Sequence, residues 1–289
     1  MTTAPVAPAR STSARGVGVS LRGVVHLYPS VEGDVVALRG VDLDVPAGTS
    51  VALLGPSGAG KSTVAGLIAG EFAASAGQVL VGAEDVGRMS PRRLARLRAG
   101  EVSLVVQGAE PNLLLYATVA ENVWFAQRGA EAHGHHPPLA PDELLDAFGA
   151  GALGARVCAT LPPGQQQLAA VIAGVAPLPG VLVLDEPTSR LDAAARDAVL
   201  AAVATISASF GITVVTVTHD PAAAEAAGRT VTIRDGRVGS EGHQGAEYAV
   251  VGPDGSLQLP EDALQLLPPG ALVEVRPSED RVELRRKEL

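Results

Sequence analysis

Cysteine is almost absent. Cys158 is the only one in 289 residues, so no disulfide can close within the chain. That excludes a disulfide framework and fits a reducing compartment. Cys158 stands in no metal or redox spacing, and its natural reading is packing or a loop. Aromatic residues make up only 3%, so a core has to be assembled from Ala, Val and Leu. Positive charge is also in deficit: 22 Lys and Arg face 31 Asp and Glu, a formal net charge of −9. Bulk electrostatics therefore argue against a nucleic-acid partner. Lysine itself is scarce, with only Lys61 and Lys287. The longest apolar stretch free of charge, Leu168 to Leu184, contains Pro177, Pro179 and Gly180 and stops on Asp185-Glu186. It reads as a buried helix, a turn and a buried strand rather than a membrane span. Residues 1–16 read as a disordered leader, and Met1 to Arg15 lacks the apolar segment of a signal peptide.

What is present is globular in character: 47% hydrophobic residues against 18% charged. The most informative stretch is Gly55-Pro56-Ser57-Gly58-Ala59-Gly60-Lys61-Ser62-Thr63, which meets the phosphate-loop pattern G-x-x-x-x-G-K-[ST] at each fixed position. An apolar run, Ser50 to Leu54, precedes it and a helical pattern from Ser62 to Ala69 follows. Glycines let the backbone curl so that several N–H groups face one anion, and the helix start adds its positive dipole end. Lys61 supplies a point charge for the β and γ phosphates, and the Ser62 hydroxyl is placed to ligate Mg²⁺.

Residues 19 to 45 alternate apolar and polar positions and predict antiparallel strands with a loop near Ser30 to Asp34. Gln78 to Val81 and Val102 to Val106 predict further strands. Ser90 to Arg98 predicts a helix capped by Ser90, with Pro91 at its first position. Residues 108 to 160 read as helix and loop, flexible from Arg128 to Pro141. Continuous apolar strands at Val181 to Leu184 and Ile212 to Thr218, with a helix over Asp192 to Ser207 between them, predict a parallel sheet covered on both faces. After Gly239 the composition shifts. Ser240 to Gly245 reads as a linker, and residues 246–289 as a small β-rich module with turns at Pro253-Asp254-Gly255 and Pro268-Pro269-Gly270.

The strand Val181 to Leu184 ends in Asp185 and Glu186. Beside a phosphate loop, such a pair can organise Mg²⁺ and polarise an attacking water. Thr188-Ser189-Arg190-Leu191-Asp192 follows directly, His219 closes the later apolar strand, and Gln107 closes the strand at 102–106.

This ordered set resembles the nucleotide-binding subunits of ABC transporters, over roughly residues 19 to 240. The resemblance implies an α/β fold: a P-loop ATPase domain over residues 17–240, with a mostly parallel core sheet, an antiparallel β subdomain and a helical subdomain at about 108–175. It implies ATP and Mg²⁺ as cofactors, with Tyr28 stacking on adenine and Gly55, Pro56, Ser57, Gly58, Ala59, Gly60, Lys61, Ser62 and Thr63 holding the phosphates. Ser62, Gln107 and Asp185 would meet the metal, Glu186 and His219 would be catalytic, and Ser189, Leu191 and Asp192 would form the D-loop across a dimer interface. The partners implied are a second ABC ATPase, identical or not, and an integral-membrane permease, which would hold the chain on the cytoplasmic face of the membrane. The segments Ser90 to Arg98 and Ala117 to Val123 look most like the branch serving lipoprotein release, macrolide export and the cell-division complex.

The family signature Leu-Ser-Gly-Gly-Gln is replaced by Leu161-Pro162-Pro163-Gly164-Gln165, and the arginine usual after the glutamines by Leu168. Pro162 has no hydroxyl, and neither proline has an N–H to donate. The site this chain lends to a partner is thus weakened, while its own is intact. A second reading follows, a low-turnover regulatory or scaffolding ABC protein. A soluble DNA-repair or translation ATPase is disfavoured, since the length leaves no room for a coiled-coil insertion or a second ATPase domain. His133, His135 and His136 read as a loop cluster rather than a metal site. The stretch from Tyr248 to Leu284 resembles the swapped-hairpin fold of bacterial transition-state regulators, but its acidic balance points to dimerisation or regulation rather than DNA binding.

Overall fold

The computed structural model describes residues 16–287, apart from 32, 244–245, 252–254, 258, 260 and 280. Strands β1 (Val19–Tyr28) and β2 (Val35–Val45) come first, and β3 (Ser50–Leu54) then leads through the phosphate loop into helix α1 (Lys61–Ile68). β4 (Ala76–Val81) and the short β5 (Glu84–Asp85) precede α2 (Pro91–Gly100) and β6 (Val102–Val105). Three helices follow: α3 (Val119–Ala132), α4 (Pro141–Ala147) and α5 (Pro163–Val175). The chain returns through β7 (Val181–Asp185), α6 (Ala193–Phe210), β8 (Thr213–Val217), α7 (Pro221–Ala227), β9 (Arg229–Arg234) and β10 (Arg237–His243). It ends with β11 (Ala246–Ala249), α8 (Glu261–Leu266), β12 (Val273–Pro277) and β13 (Val282–Arg286).

The main sheet has seven strands in the order β11-β10-β9-β3-β8-β7-β6. From β9 to β6 every pairing is parallel, and β10 and β11 add an antiparallel edge. A four-stranded sheet, β2-β1-β4-β5, lies apart from it. β7 and β8 carry unbroken apolar or β-branched runs because helices cover both of their faces, and Val181 to Leu184 and Thr213 to Val217 are all buried. β1 instead alternates, burying Val19, Leu21, Val24 and His26, as suits a sheet with one covered face. Two cores result. One packs α1 between the two sheets, around Leu38, Leu53, Leu67 and Ile68. The other lies on the opposite face of the main sheet, around Leu144, Leu145, Ile172, Leu182, Leu184 and Ile206.

Local signals set the helix ends. Ser90 Oγ accepts from Arg93 N at 3.3 Å and starts α2. Thr118 and Glu121 form a reciprocal capping box for α3. Asp192 Oδ1 accepts from Ala195 N at 2.8 Å to start α6, which ends at Gly211 with φ 62°. α6 is long and apolar enough to cross a membrane by length and composition. Here it packs against α5, α7 and β8, and its apolarity comes largely from alanine.

Two expectations need correction. The segment from Arg128 to Pro141 is helical as far as Ala132, and the turn that follows is tied down by Gln127 Nε2 to Leu139 O at 2.8 Å and His135 N to Ala130 O at 3.0 Å. Ser240 to His243 is not a linker but the end of β10, laddered on one side to β9 and on the other to β11. Main-chain pairing holds it, so its Ser-Glu-Gly-His composition carries no strand signal. Residues 244–245 lie outside the described residues, as do residues 1–15 and most of the turn at Pro253-Asp254-Gly255. Gly16 is placed, its N–H bonded to Gly211 O at 2.8 Å.

Leu184 is fully buried in the core on the helical face, one residue before the paired carboxylates. Leu184→Ala is expected to lower the unfolding free energy by about 2–5 kcal/mol. Urea denaturation of the purified chain measures this, and a change under 1 kcal/mol, about the size of a tolerated volume-conserving swap, would show that the site collapses around the gap.

Candidate functional site

The parallel ladder brings the strand ends level. Val217 pairs with Leu53 on one side and Asp185 on the other, and Val105 pairs with Leu184. The residues that follow, Gly55, Glu186, Thr218-His219 and Val106-Gln107, therefore leave the sheet along one edge. In open α/β sheets that carboxyl edge is where ligands bind.

Residues 55–60 form a tight loop between β3 and α1. Gly55 has φ 144°, and a Cβ there would collide with the Ile233 carbonyl. Gly60 caps α1 at φ 100°, and a Cβ on it would lie 2.7 Å from Ala37 O and from Leu38 Cδ2. Only glycine fits either place. The buried Lys61 Nζ donates to Gly55 O at 2.8 Å and Pro56 O at 2.9 Å, so the ammonium stitches the loop to its own helix. An ammonium has three donors, which leaves one N–H beyond these two bonds.

The hydroxyl of Ser62, one residue on, lies beside the Asp185 carboxyl. Burial pushes the Asp185 carboxyl above the usual carboxylate range, helped by the charge of Glu186, while the Ser62 hydroxyl and Lys61 pull it down. Asp185 Oδ1 is buried and has no hydrogen-bond partner among the described residues. A hydroxyl beside an orphaned carboxylate oxygen is a hard-oxygen donor set that fits a divalent cation such as Mg²⁺.

Glu186 sits at φ 50°, a conformation rare outside glycine. Its N–H is held by Val217 O at 2.8 Å, and its Oε2 lies 2.8 Å from His219 Nδ1. The His219 side chain is 69% exposed against 14% for Glu186, so the imidazole lies on the open side of the pair. Among the described residues Gln107 makes no hydrogen bond to Asp185. Its Nε2 donates to Ser189 Oγ at 3.3 Å, joining the Gln107 loop to the segment after Glu186. Leu191 N bonds Thr188 O at 3.3 Å and Asp192 caps α6.

Tyr28 is 40% exposed, and its hydroxyl lies 3.2 Å from Thr63 Oγ1 on α1. The signature residues form a separate place. Leu161 is buried, Pro162 is the N-cap of α5 with no side-chain cap, and Pro163 is its first residue. The two prolines thus start the helix rather than break it. Gly164 abuts Ala195 of α6, and Gln165 is exposed. Among the described residues none of the five bonds Lys61, Asp185, Glu186 or His219.

Sequence reasoning missed the residues that hold these loops. Asn112 accepts from Val106 N at 3.0 Å and donates to Val106 O at 2.8 Å and to Gly108 O, gripping both sides of Gln107. Thr188 Oγ1 donates to Asp220 Oδ2 at 3.0 Å, linking the segment after Glu186 to that after His219. Gln166 Nε2 donates to Cys158 O at 3.0 Å and Leu161 O at 3.1 Å, shaping the turn into the signature. Only Asp220 had a local signal, an Asp before the Pro221 that opens α7. His133 and His135 each place a ring nitrogen on a backbone carbonyl, of Gly129 and Arg96.

Known proteins agree with this geometry. The ABC transporter family model matches residues 38–189. The lipoprotein-releasing system ATP-binding protein LolD of Anaeromyxobacter dehalogenans is 38% identical over 228 residues, 78% of this chain and 93% of that protein. The macrolide export ATP-binding/permease protein MacB 1/2 of Paracoccus denitrificans is 35% identical over 81% of this chain, which spans only 35% of that longer protein. Among solved structures, the dimeric ATP-binding cassette MJ0796, in a post-hydrolysis state with ADP and Pi, matches at TM-score 0.68 and 26% identity, over 78% of this chain and 98% of that one. The family match over residues 38–189 and the 38% identity to LolD over 78% of this chain mean that the chain, with its phosphate loop, paired carboxylates and strand-end histidine, belongs to the ABC transporter family as one of its ATP-binding, ATP-hydrolysing subunits.

Proposed function

We propose that this subunit energises a separate membrane permease, working as a pair on the cytoplasmic face of a membrane. The observation that carries the reading is the convergence of Lys61, Ser62, Asp185, Glu186 and His219 on one sheet edge. ATP would lie between the phosphate loop of one subunit and the signature of the other. The ATPase unit, expected over 17–240, would extend to β11, which pairs with β10 in the main sheet, with its helical part at about 108–175, and the C-terminal elements α8, β12 and β13 would belong to an accessory module within 246–289. Tyr116, Trp124 and Phe125, at or near the start of α3, are 80%, 53% and 59% exposed, unusual for large rings and suited to a partner protein. They are our candidates for permease contact.

In this scheme the loop N–H groups and Lys61 hold the β and γ phosphates, and Tyr28 stacks on the adenine. Ser62, Asp185 and Gln107 would hold Mg²⁺, which neutralises charge on the phosphate oxygens when bound. Glu186 accepts a hydrogen bond from the attacking water and fixes its line of approach, and His219 orients Glu186 and faces the γ-phosphate. Catalysis then rests on positioning and charge stabilisation. Ser189, Leu191 and Asp192 would meet the second subunit.

A second reading, a low-turnover regulatory subunit, is favoured by one observation. Pro162 and Pro163 present neither hydroxyl nor N–H at the exposed start of α5.

Three outcomes are expected. Glu186→Gln should bind ATP as before but turn over roughly 10²–10⁴-fold more slowly. Equal phosphate release by the two proteins would remove Glu186 from the reaction. Asp185→Asn should raise the melting temperature of the nucleotide-free chain at neutral pH. The folded state binds the Asp185 proton more tightly than the unfolded chain, so stability is lost as pH rises through the ordinary carboxylate range towards the raised value. The gain should shrink below that range, and scanning calorimetry across pH reads it; a pH-independent or negative shift contradicts the burial argument. Finally, the chain alone should hydrolyse ATP slowly, and Pro162→Ser with Pro163→Gly should speed it about tenfold, the worth of one charged hydrogen bond in the transition state. Fast basal turnover unmoved by that pair would make the two signatures equivalent and end the regulatory reading.

A further inference from the structure

Tyr28 does not stand alone. On β1, His26 shares its face of the strand, two residues away. The imidazole of His26 meets the Tyr28 ring edge-on, with centroids 4.7 Å apart and planes at 81°. On another side it stacks on Phe72, at 4.8 Å and 30°. Phe72 in turn meets Tyr28 edge-on at 5.9 Å, so the three rings close a triangle. Three rings in mutual contact are conspicuous in a chain with 3% aromatic residues.

The triangle is fastened to the phosphate-binding helix twice. The Tyr28 hydroxyl lies 3.2 Å from Thr63 Oγ1. Phe72 occupies a notch left by Gly66 of α1, where a Cβ would come within 2.8 Å of the ring carbons. His26 is 94% buried by this packing, with a relative exposure of 6%, and its Nδ1 has no hydrogen-bond partner among the described residues. A buried nitrogen without a partner is a costly occupant of an apolar bracket, so the ring's flat shape is what the position uses. Edge-to-face geometry fixes the plane of each ring against its neighbours. Tyr28, 40% exposed, therefore has a defined plane while keeping open surface.

We propose that His26 and Phe72 are positioning residues for the nucleotide base: they hold the Tyr28 ring at the angle and distance from Lys61 at which it stacks on a base whose triphosphate lies in the loop. This rests on the reading of Tyr28 as the base platform. The bracket sets the base-dependent part of affinity and leaves the phosphate-dependent part alone. The base contributes by stacking, which tolerates different bases, so ATP and GTP are affected together.

Equilibrium binding of Mg-ATP, Mg-GTP and inorganic tripolyphosphate to the full chain tests this, with the ratio of ATP to tripolyphosphate affinity as readout. His26→Leu should lower that ratio roughly tenfold, within the range of one aromatic–base stack, with tripolyphosphate binding unchanged. His26→Phe should restore most of it, because the ring and not its nitrogens sets the angle. Gly66→Ala, which displaces Phe72 from its notch, should lower the ratio too, and decides the matter if His26→Leu does not fold. Tyr28→Ala is the control. If Tyr28→Ala lowers the ratio while His26→Leu and Gly66→Ala do not, the platform stands and the bracket is wrong. If Tyr28→Ala leaves the ratio unchanged, the platform reading fails and the proposal with it. Equal loss of ATP and tripolyphosphate binding in His26→Leu would mean general damage to the loop, and a His26→Phe ratio as low as that of His26→Leu would mean that the nitrogens matter; either overturns the proposal.

Discussion

The register of the parallel ladder is the constraint on which everything else here depends. Val217 is bonded between Leu53 and Asp185, and β7 carries the register on to β6. Because side chains alternate along a strand, a slip of one residue in β7 would turn Asp185 to the opposite face of the sheet. With both faces apolar, alternation alone would tolerate that slip; what opposes it is the end of the run, since a shift would carry the Asp185 carboxylate into the stretch that Val181 to Leu184 fill. The same packing that stabilises the sheet thus keeps Asp185 beside Ser62 and sets the Glu186–His219 distance. No residue of the site has to find its partner independently.

Charge is used sparingly at this edge. Lys61 is the one lysine near it, and two of its hydrogen bonds go to carbonyls of its own loop rather than to a carboxylate. It shapes the loop and stays available as a cation, whereas a close ion pair with Asp185 would have consumed both charges. Arginine is spent elsewhere. Arg93 bridges Glu84 and Glu101, with bonds of 2.7–3.0 Å, and so ties β5 to the end of α2. Both carboxylates are solvent-accessible, so the bridge contributes more to alignment than to stability. Glu101 O also receives the N–H groups of Gly180 and Val181, which carries that alignment to the start of β7.

The sequence was most legible where one residue's role is local. Continuous apolar runs announced β3, β7 and β8, Ser90 and Asp192 announced helix starts, and the glycines at 55 and 60 announced a backbone that only they can follow. It was least legible where a bond crosses long stretches of chain. Nothing near Phe72 indicates that it will stack on His26, 46 residues earlier, and nothing near Thr188 points to Asp220. Gln107 was recognisable by its place after a strand, but the three bonds from Asn112 that hold its loop were not, because an asparagine in a polar loop has many possible uses. The end of β10, Ser240 to His243, reads as a linker for a related reason: its order comes from neighbours on both sides and not from a strand-like composition.

The segment from Glu186 to Asp192 shows how far this borrowing goes. Two of its residues, Glu186 and Arg190, lie at positive φ, where side chains of their kind are disfavoured by local sterics. Left to itself the segment would relax. It is held from outside at four points: Val217 O on Glu186 N, Asp220 on Thr188, Gln107 on Ser189, and the helix that Asp192 caps. Strain of this kind persists only where surrounding contacts over-determine it. The position of the Glu186 carboxylate is therefore a joint property of β8, the Gln107 loop and the start of α7. A displacement of any of the three would reach Glu186 through the chain it is bonded to, and the Gln107 loop has that route through Ser189 without a bond to Glu186 itself.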